Sequence, residues 1–430
     1  REPYMRMLRN GRDITDLVKV VTGMRRSGKS TLLRMFMDEL RESGVSEDRI
    51  LMINFEGFDY LDIRDYTALN RILMERILAD GITYVFLDEI QNVDGWEISV
   101  SALVETGRCD VYITGSNSKM LSSELATHLS GRFVEVVVLP LSFNEYLMLH
   151  PGEKGARFEE FLKYGALPEV DPSRGDEFCT AQLNGIFNTV LVQDIAVRLK
   201  RSDVGAIRSI ARFLYSNIGN ETNIDRIGKE LGISNDTVGK YVSMLMEAFL
   251  FHGAEKYDIA GRRILRTNGK YYASDLGLRN VALGGAGLDV GRLLENIVYM
   301  ELVRRGYEVR IGSYMDREID FIATKGGRIE YYQVCISMMD EGTREREFRS
   351  IRGLKDYSRR VIVTMDPFGL GTENGIDVVN AIDWLTGKER FHASARMQRQ
   401  PERDGSASFV RILHSLANRV QPFAVVLEEG

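Results

Sequence analysis

At 430 residues the chain has room for roughly two to four domains of about 100–200 residues each, and its make-up, 44% hydrophobic, 27% charged and 9% aromatic, is ordinary for a soluble globular protein. The net charge of −6 excludes a chain-wide basic surface for nucleic acid, so any such contact must come from a local patch. Three widely separated cysteines (Cys109, Cys179, Cys335) and five scattered histidines argue against a disulfide framework or a zinc ribbon and fit a reducing, cytoplasmic setting. No apolar run reaches the ~18 residues of a membrane span. The sequence opens on Arg1 rather than methionine, so a short leader is expected upstream, and no stretch resembles a signal peptide.

The first informative segment is "VVTGMRRSGKSTLLRMF". Gly23, four residues, then Gly28, Lys29 and Ser30 reproduce the spacing G-x-x-x-x-G-K-S. Val18–Val21 reads as a buried strand, and Thr31–Glu42 carries Leu32, Leu33, Phe36, Met37 and Leu40 at helical spacing. Strand, glycine loop and helix together make a phosphate cradle: backbone N–H groups curl toward an anion and the helix N-terminus adds its partial positive charge. Lys29 would reach the β and γ phosphates of ATP and Ser30 would ligate magnesium. The expected nucleotide-binding set is Gly23, Arg26, Ser27, Gly28, Lys29, Ser30 and Thr31. Arg25 and Arg26 stay open between phosphate, adenine, a neighbouring subunit and solvent.

Next, "ITYVFLDEIQNV" predicts a central parallel strand over Ile82–Leu87 that ends in Asp88-Glu89. Chemistry sits at the carboxyl ends of such strands. Asp88 would hold the magnesium through its water shell and Glu89 would polarise the attacking water, a residue that mere binding does not need. A third strand, Val111–Thr114, leads into Gly115-Ser116-Asn117. In ATPases with a strand inserted between the loop strand and the carboxylate strand, a polar residue here contacts the γ phosphate and the lytic water. Asn117 is the expected residue and Ser116 the alternative, against a plain turn. Arg132, just before the predicted strand Phe133–Leu139, is read as a residue that reaches a neighbour's site in an oligomer, or as a cation favoured by a helix C-terminus. The first role would require a homo-oligomer.

Taken together, "GMRRSGKSTLL", "FLDEIQNVDGWE", "ITGSNSKML", "SGRFVEVVVLPLSFNEYL" and "YGALPEV" resemble the AAA-type ATP-binding proteins of bacteria and archaea that carry a C-terminal domain of unknown function. The resemblance covers about residues 2–387. It implies an α/β fold: a P-loop ATPase core with a parallel sheet (1–149), a helical lid (150–220), a winged helix-turn-helix (221–282) and a restriction-nuclease-like α/β domain (283–387). The tail at 388–430 falls outside the resemblance and reads as partly linker-like from its polar stretch.

Between 150 and 220 the apolar spacing is helical, and its functional residues, a second sensor included, are not legible from spacing. In "TNIDRIGKELGISNDTVGKYVSMLMEAFLF", Ile224, Ile227 and Leu231 share a helix face, Gly232-Ile233 turns, and Ser234 caps a second helix that buries Val238, Tyr241, Val242 and Leu245. That is a helix-turn-helix. Its exposed leading residues, Asn235, Asp236, Thr237 and Lys240, make a poor phosphate surface. The following hairpin is more basic, so double-stranded DNA is the candidate partner through Arg262, Arg263, Arg266 and Lys270, against a packing role for the whole module.

"LGGAG" at Leu283–Gly287 reads as a flexible link. Beyond it, Glu295 on a helix and Asp320 on a strand stand where restriction-type nucleases hold a metal, but the expected Glu-x-Lys reads Gln333-Val334-Cys335. An amide replaces a hard oxygen ligand and a thiol replaces the lysine, so nuclease activity is expected to be lost, and Cys335 reads as a core residue. The resulting expectation is a magnesium-dependent ATPase that moves its winged-helix and degenerate nuclease-like parts on DNA. The alternative is a slowly hydrolysing, nucleotide-gated regulatory or defence switch that binds a protein partner, and a third reading is an active nuclease.

Overall fold

The computed structural model describes residues 1–118, 129, 131–198, 203–285, 289–315 and 317–388, and for 266–268 the backbone alone. The expected tail beyond 388, the side chain of Arg266, part of "LGGAG" and most of the segment leading into Arg132 lie outside the described residues.

The amino-terminal elements are α1 (Glu2–Asn10), β1 (Val18–Thr22), α2 (Lys29–Glu42), β2 (Ile50–Asn54), α3 (Tyr66–Arg76), β3 (Thr83–Asp88), α4 (Trp96–Glu105), β4 (Cys109–Gly115) and β5 (Phe133–Val137). The strands lie in the order β2-β3-β4-β1-β5, and every pairing is parallel. Every residue of β1, β3 and β4 is buried, as a strand covered on both faces requires. Successive side chains feed opposite layers. Val20, Val85, Leu87, Val111 and Ile113 join Trp96 and Val100 on one face. Val21, Phe86 and Tyr112 meet Leu33 and Phe36 of α2 on the other. There Phe86 stacks on Tyr112 at 4.8 Å and Phe36 tilts against Tyr112 at 5.1 Å, contacts that each add about 0.5–1.5 kcal/mol beyond area burial. This order sets β4 between the loop strand β1 and the carboxylate strand β3.

The helical region that follows contains α5 (Phe143–Leu149), α6 (Lys154–Tyr164), α7 (Asp176–Thr189), a π-helical turn over Val190–Ile195, and α8 (Val204–Ser216). A capping box between Ser142 and Glu145 starts α5. After β6 (Glu221–Thr222) come α9 (Ile224–Leu231) and α10 (Asn235–Glu247). The side chain of Asn223 caps α9, Gly232 ends it at φ 67°, and Ser234 caps α10, which buries Val238, Tyr241, Val242 and Leu245.

The remaining elements are β7 (Phe251–Asp258), β8 (Arg263–Ala273), α11 (Leu276–Ala282), α12 (Val290–Arg304), β9 (Glu308–Tyr314), β10 (Arg317–Lys325), β11 (Arg328–Cys335), α13 (Glu341–Arg352), β12 (Arg359–Thr364), β13 (Gly371–Glu373), β14 (Ile376–Asn380) and α14 (Ala381–Leu385). The β7–β8 hairpin does not stand apart as a wing. Lys256, Tyr257 and Asp258 of β7 pair in parallel with Ile311, Gly312 and Ser313 of β9, making one nine-stranded sheet, β13-β14-β12-β11-β10-β9-β7-β8-β6. One apolar core runs from Phe143 and Phe161 through Ile210, Val242 and Leu293 to Trp384. The helical region, the helix-turn-helix and the carboxyl-terminal sheet are therefore packed as one body.

Candidate active site

The loop between β1 and α2 is shaped by residues that tolerate unusual backbone. Gly23 sits at φ 141°, and a Cβ there would lie 2.2 Å from the Val138 carbonyl oxygen, so no side chain fits. Gly28 (φ 96°) starts α2 in the left-handed region, and Arg26 shares that conformation at φ 69°. Lys29 is buried and folds back over the loop, where its Nζ donates to the carbonyls of Gly23 at 3.0 Å and Met24 at 3.2 Å. Its nearest carboxylate oxygen, Glu89 Oε1, is 3.5 Å away. Ser27 Oγ is buried and has no hydrogen-bond partner among the described residues. An orphaned donor beside a loosely held lysine fits an anion in the loop. Thr31 lies exposed in the first turn of α2.

Strand β3 delivers its two carboxylates to the same end. Asp88 Oδ1 accepts from Ser30 Oγ at 3.0 Å and from Thr114 Oγ1 at 2.6 Å. Burial raises the Asp88 pKa, and those two hydrogen bonds only partly oppose the rise. A carboxylate so disposed gains by meeting a cation. The serine hydroxyl and single carboxylate fit magnesium, which takes few protein oxygens and completes its shell with water and phosphate. Glu89 adopts φ 55° at the strand exit, a conformation rare outside glycine and asparagine. Its N–H donates to Thr114 Oγ1 at 2.9 Å, and its Oε2 accepts from Gln91 Nε2 at 2.6 Å. Burial works against its charge, but Lys29 and then Gln91 outweigh that and hold its pKa below the usual range. Ser116 and Asn117 are buried at the exit of β4, with Ser116 Oγ 3.5 Å from Gln91 Nε2.

Arg132 lies at the other end of the sheet. It precedes Phe133, which pairs with Val18, whereas the loop follows Thr22 and Val137. Five residues of strand separate the two, about 16 Å, so Arg132 does not reach the loop of its own chain. Its Nη2 pairs with Glu105 Oε1 at 2.6 Å.

The two loop arginines turn to the helical region. Arg25 grips Asp194 with Nε (3.2 and 3.1 Å) and Nη2 (2.9 Å), and its Nη1 meets Glu56 Oε1 at 3.0 Å. Arg26 Nη1 pairs with Glu169 Oε1 at 2.6 Å. Pro168, beside Glu169 in "YGALPEV", approaches Gly28: its Cγ is 3.6 Å from where a Cβ would stand. Thr114, Gln91, Glu56, Glu169 and Asp194 did not emerge from the sequence. Thr114 had a readable signal, a polar β-branched residue ending a buried strand. Asp194 had a fainter one, a lone carboxylate between Val190, Leu191 and Ile195 in an apolar helical stretch.

In the carboxyl-terminal sheet another buried lysine meets acids. Lys270 of β8 pairs with Glu295 Oε1 at 3.0 Å and Glu318 Oε1 at 2.7 Å, and Tyr272 OH donates to Glu295 Oε1 at 2.8 Å. This corrects the expected basic wing: Lys270 is only 5% exposed and its charge is taken up by Glu295 of α12 and Glu318 of β10 rather than offered to solvent. Arg262 and Arg263 remain at the surface. Asp320 sits in a bulge between Ile319 and Ile322 and accepts from the Val334 N–H at 2.8 Å. Burial and then Glu295 push it well above the usual carboxylate range. The Gln333 amide oxygen is 3.4 Å from the Asp320 N–H. Cys335 packs with Met338, Phe348 and Ile362, and burial pushes its thiol up to about 12. Among the described residues no group of three or more His, Cys, Asp or Glu side chains is placed to hold a metal ion.

Residues 15–147 match the family described as AAA domain, and residues 155–289 match one described as a domain of unknown function, DUF8612. An uncharacterized protein of Haemophilus influenzae is 38% identical over 396 residues, covering 90% of this chain and 98% of that protein. The uncharacterized protein MJ1544 of Methanocaldococcus jannaschii is 30% identical over 369 residues, covering 80% of each. Among solved structures, the Walker-type ATPase PABY2304 of Pyrococcus abyssi aligns with 66% of this chain and 95% of its own, at a TM-score of 0.48 and 16% identity. The chain belongs to the family of AAA-type P-loop ATPases in which the ATPase core is followed by a domain of unknown function.

Proposed function

We propose that the chain binds ATP with magnesium in the Gly23–Thr31 loop and hydrolyses it. The observation that carries this reading is the meeting of Lys29, Ser30, Asp88 and Glu89 at one end of the parallel sheet, with Ser27 Oγ orphaned beside them. Ser27 and the loop N–H groups would take phosphate oxygens. Lys29 would exchange two neutral carbonyl partners for charged ones, a net gain in charge-assisted hydrogen bonding. Ser30 and Asp88 would hold the magnesium, which when bound offsets charge on the phosphates. Glu89, kept ionised by Lys29 and Gln91, is suited to polarise a water. Ser116 or Asn117 would orient that water from β4. Thr114 ties the Asp88 carboxylate to the backbone N–H of Glu89.

What the cycle moves is the packed body behind the core, and a nucleotide-gated switch with a protein partner now fits better than a DNA machine. The specific observation is the loss of Lys270 from the basic surface, which leaves Arg262 and Arg263 with a side chain at 266 outside the described residues. ATP turnover measured with and without double-stranded DNA at low salt tests this reading. No stimulation is expected; stimulation of tenfold or more, about the reach of an allosteric coupling, would restore the DNA reading. The in-trans role of Arg132 and the homo-oligomer it needs are tested by mass measurement with and without ATP.

A further inference from the structure

Asp194 enters the catalytic end of the ATPase core from outside that core. It lies on the π-helical turn Val190–Ile195, whose Val190, Leu191 and Ile195 are fully buried in the core of the packed body. Its carboxylate grips Arg25 of the phosphate loop, and its Oδ1 is 3.5 Å from Ser116 Oγ. Burial raises its pKa and Arg25 opposes that, while Glu89 and Lys29 are close enough to act on its charge. Arg25 also holds Glu56, so one cation serves two carboxylates beside the loop. A γ phosphate arriving at Lys29 brings strong negative charge to this neighbourhood. It attracts Arg25 and repels Asp194, and a planar guanidinium fork suits either oxyanion. The turn that carries Asp194 is itself a rare conformation, associated with functional sites and one step in register from an α-helix.

We propose that Asp194 is a nucleotide-sensing positioning residue: without a γ phosphate it holds Arg25 away from the loop, and a γ phosphate takes Arg25 from it, releasing Val190–Ile195 and so signalling to the packed body. A ligand shifts such an equilibrium only by its differential interaction with the two states, and here that difference is the γ phosphate, present in ATP and absent in ADP. The idea rests on the nucleotide reading above.

The test is amide hydrogen exchange of residues 190–195 in the full chain, nucleotide-free, with Mg·ADP and with a non-hydrolysable Mg·ATP analogue, beside binding of fluorescent ADP and ATP analogues. The ATP analogue is expected to speed exchange of the segment about tenfold relative to ADP. Asp194→Asn removes the competitor for Arg25, so it is expected to tighten the ATP analogue about tenfold while leaving ADP within about threefold. Equal exchange in all three states with both nucleotides bound overturns the latch and leaves the nucleotide site standing. Binding of neither nucleotide overturns both. An Asp194→Asn protein that loses ADP and ATP analogue alike has only a structural role there, and if that variant does not fold, exchange in the unaltered chain decides.

Discussion

Three buried lysines meet acids among the described residues, Lys19, Lys29 and Lys270, and the last two are held very differently. Lys29 donates to two neutral carbonyls and stands 3.5 Å from its nearest carboxylate oxygen among the described residues, Glu89 Oε1, beside an orphaned serine hydroxyl. Lys270 is gripped at 2.7 and 3.0 Å by two carboxylates, with a tyrosine hydroxyl completing Glu295. Lys29 gains charge-assisted partners when an anion arrives; Lys270 already has them, and the carboxylates around it repel an anion. The same residue types thus make a site in the first region and a cross-link between β8, α12 and β10 in the second.

The comparison breaks most visibly if Lys29 is dispensable. Lys29→Ala should weaken ATP about a thousandfold, the scale of losing a desolvated charged partner, as read by fluorescent-nucleotide titration. A loss under tenfold would mean that phosphate is held elsewhere. Lys270→Met should leave nucleotide affinity unchanged but cost about 3–5 kcal/mol of stability, because the largely buried Glu295 and Asp320 lose their cation while the exposed Glu318 loses little; urea unfolding checks this. An ATP defect without a stability defect would instead make Lys270 part of the chemistry.

A smaller effect concerns Asp275, which ties the turn after α6 to the start of α11 by accepting from the N–H groups of Ala166 and Leu278. Burial raises its pKa from 3.8 to about 6. The folded chain therefore holds this proton more tightly than the unfolded one, and the stability it contributes is complete below the lower value and lost as pH rises through the higher. Asp275→Asn loses one acceptor at every pH, a constant offset. Relative to wild type, its stability should rise between pH 4 and pH 7 by up to about 3 kcal/mol, measured by urea unfolding at both pH values. A pH-independent difference would mean that Asp275 ionises normally. Smallest is Arg26→Ala: the pair with Glu169 is half exposed, so under about 1 kcal/mol of stability is expected, with ATP affinity nearly unchanged. A tenfold loss would show that Arg26 leaves Glu169 for the nucleotide.

The sequence was most legible where chemistry depends on neighbours in the chain. Gly23, Gly28, Lys29 and Ser30 lie within one loop, and Asp88-Glu89 end a strand whose apolar run announces it. It was least legible where partners come from distant elements. Arg25 to Asp194 spans 169 positions, and no local pattern connects them. Lys270 looked like a wing cation because the hairpin around it is basic, and only the tertiary packing of α12 and β10 brings Glu295 and Glu318 to it. The glycines after Leu283 looked like a linker between domains, yet the sheet and the core cross that boundary on either side of them.

The most direct test of the open, anion-ready site is Glu89→Gln, with ATP binding and magnesium-dependent hydrolysis measured on the same preparation. Binding is expected to stay within about threefold, while turnover falls about a hundredfold or more, the usual worth of a positioned base. Wild-type turnover in that variant would contradict the assignment of Glu89, and with it the reading of this end of the sheet as a hydrolytic site.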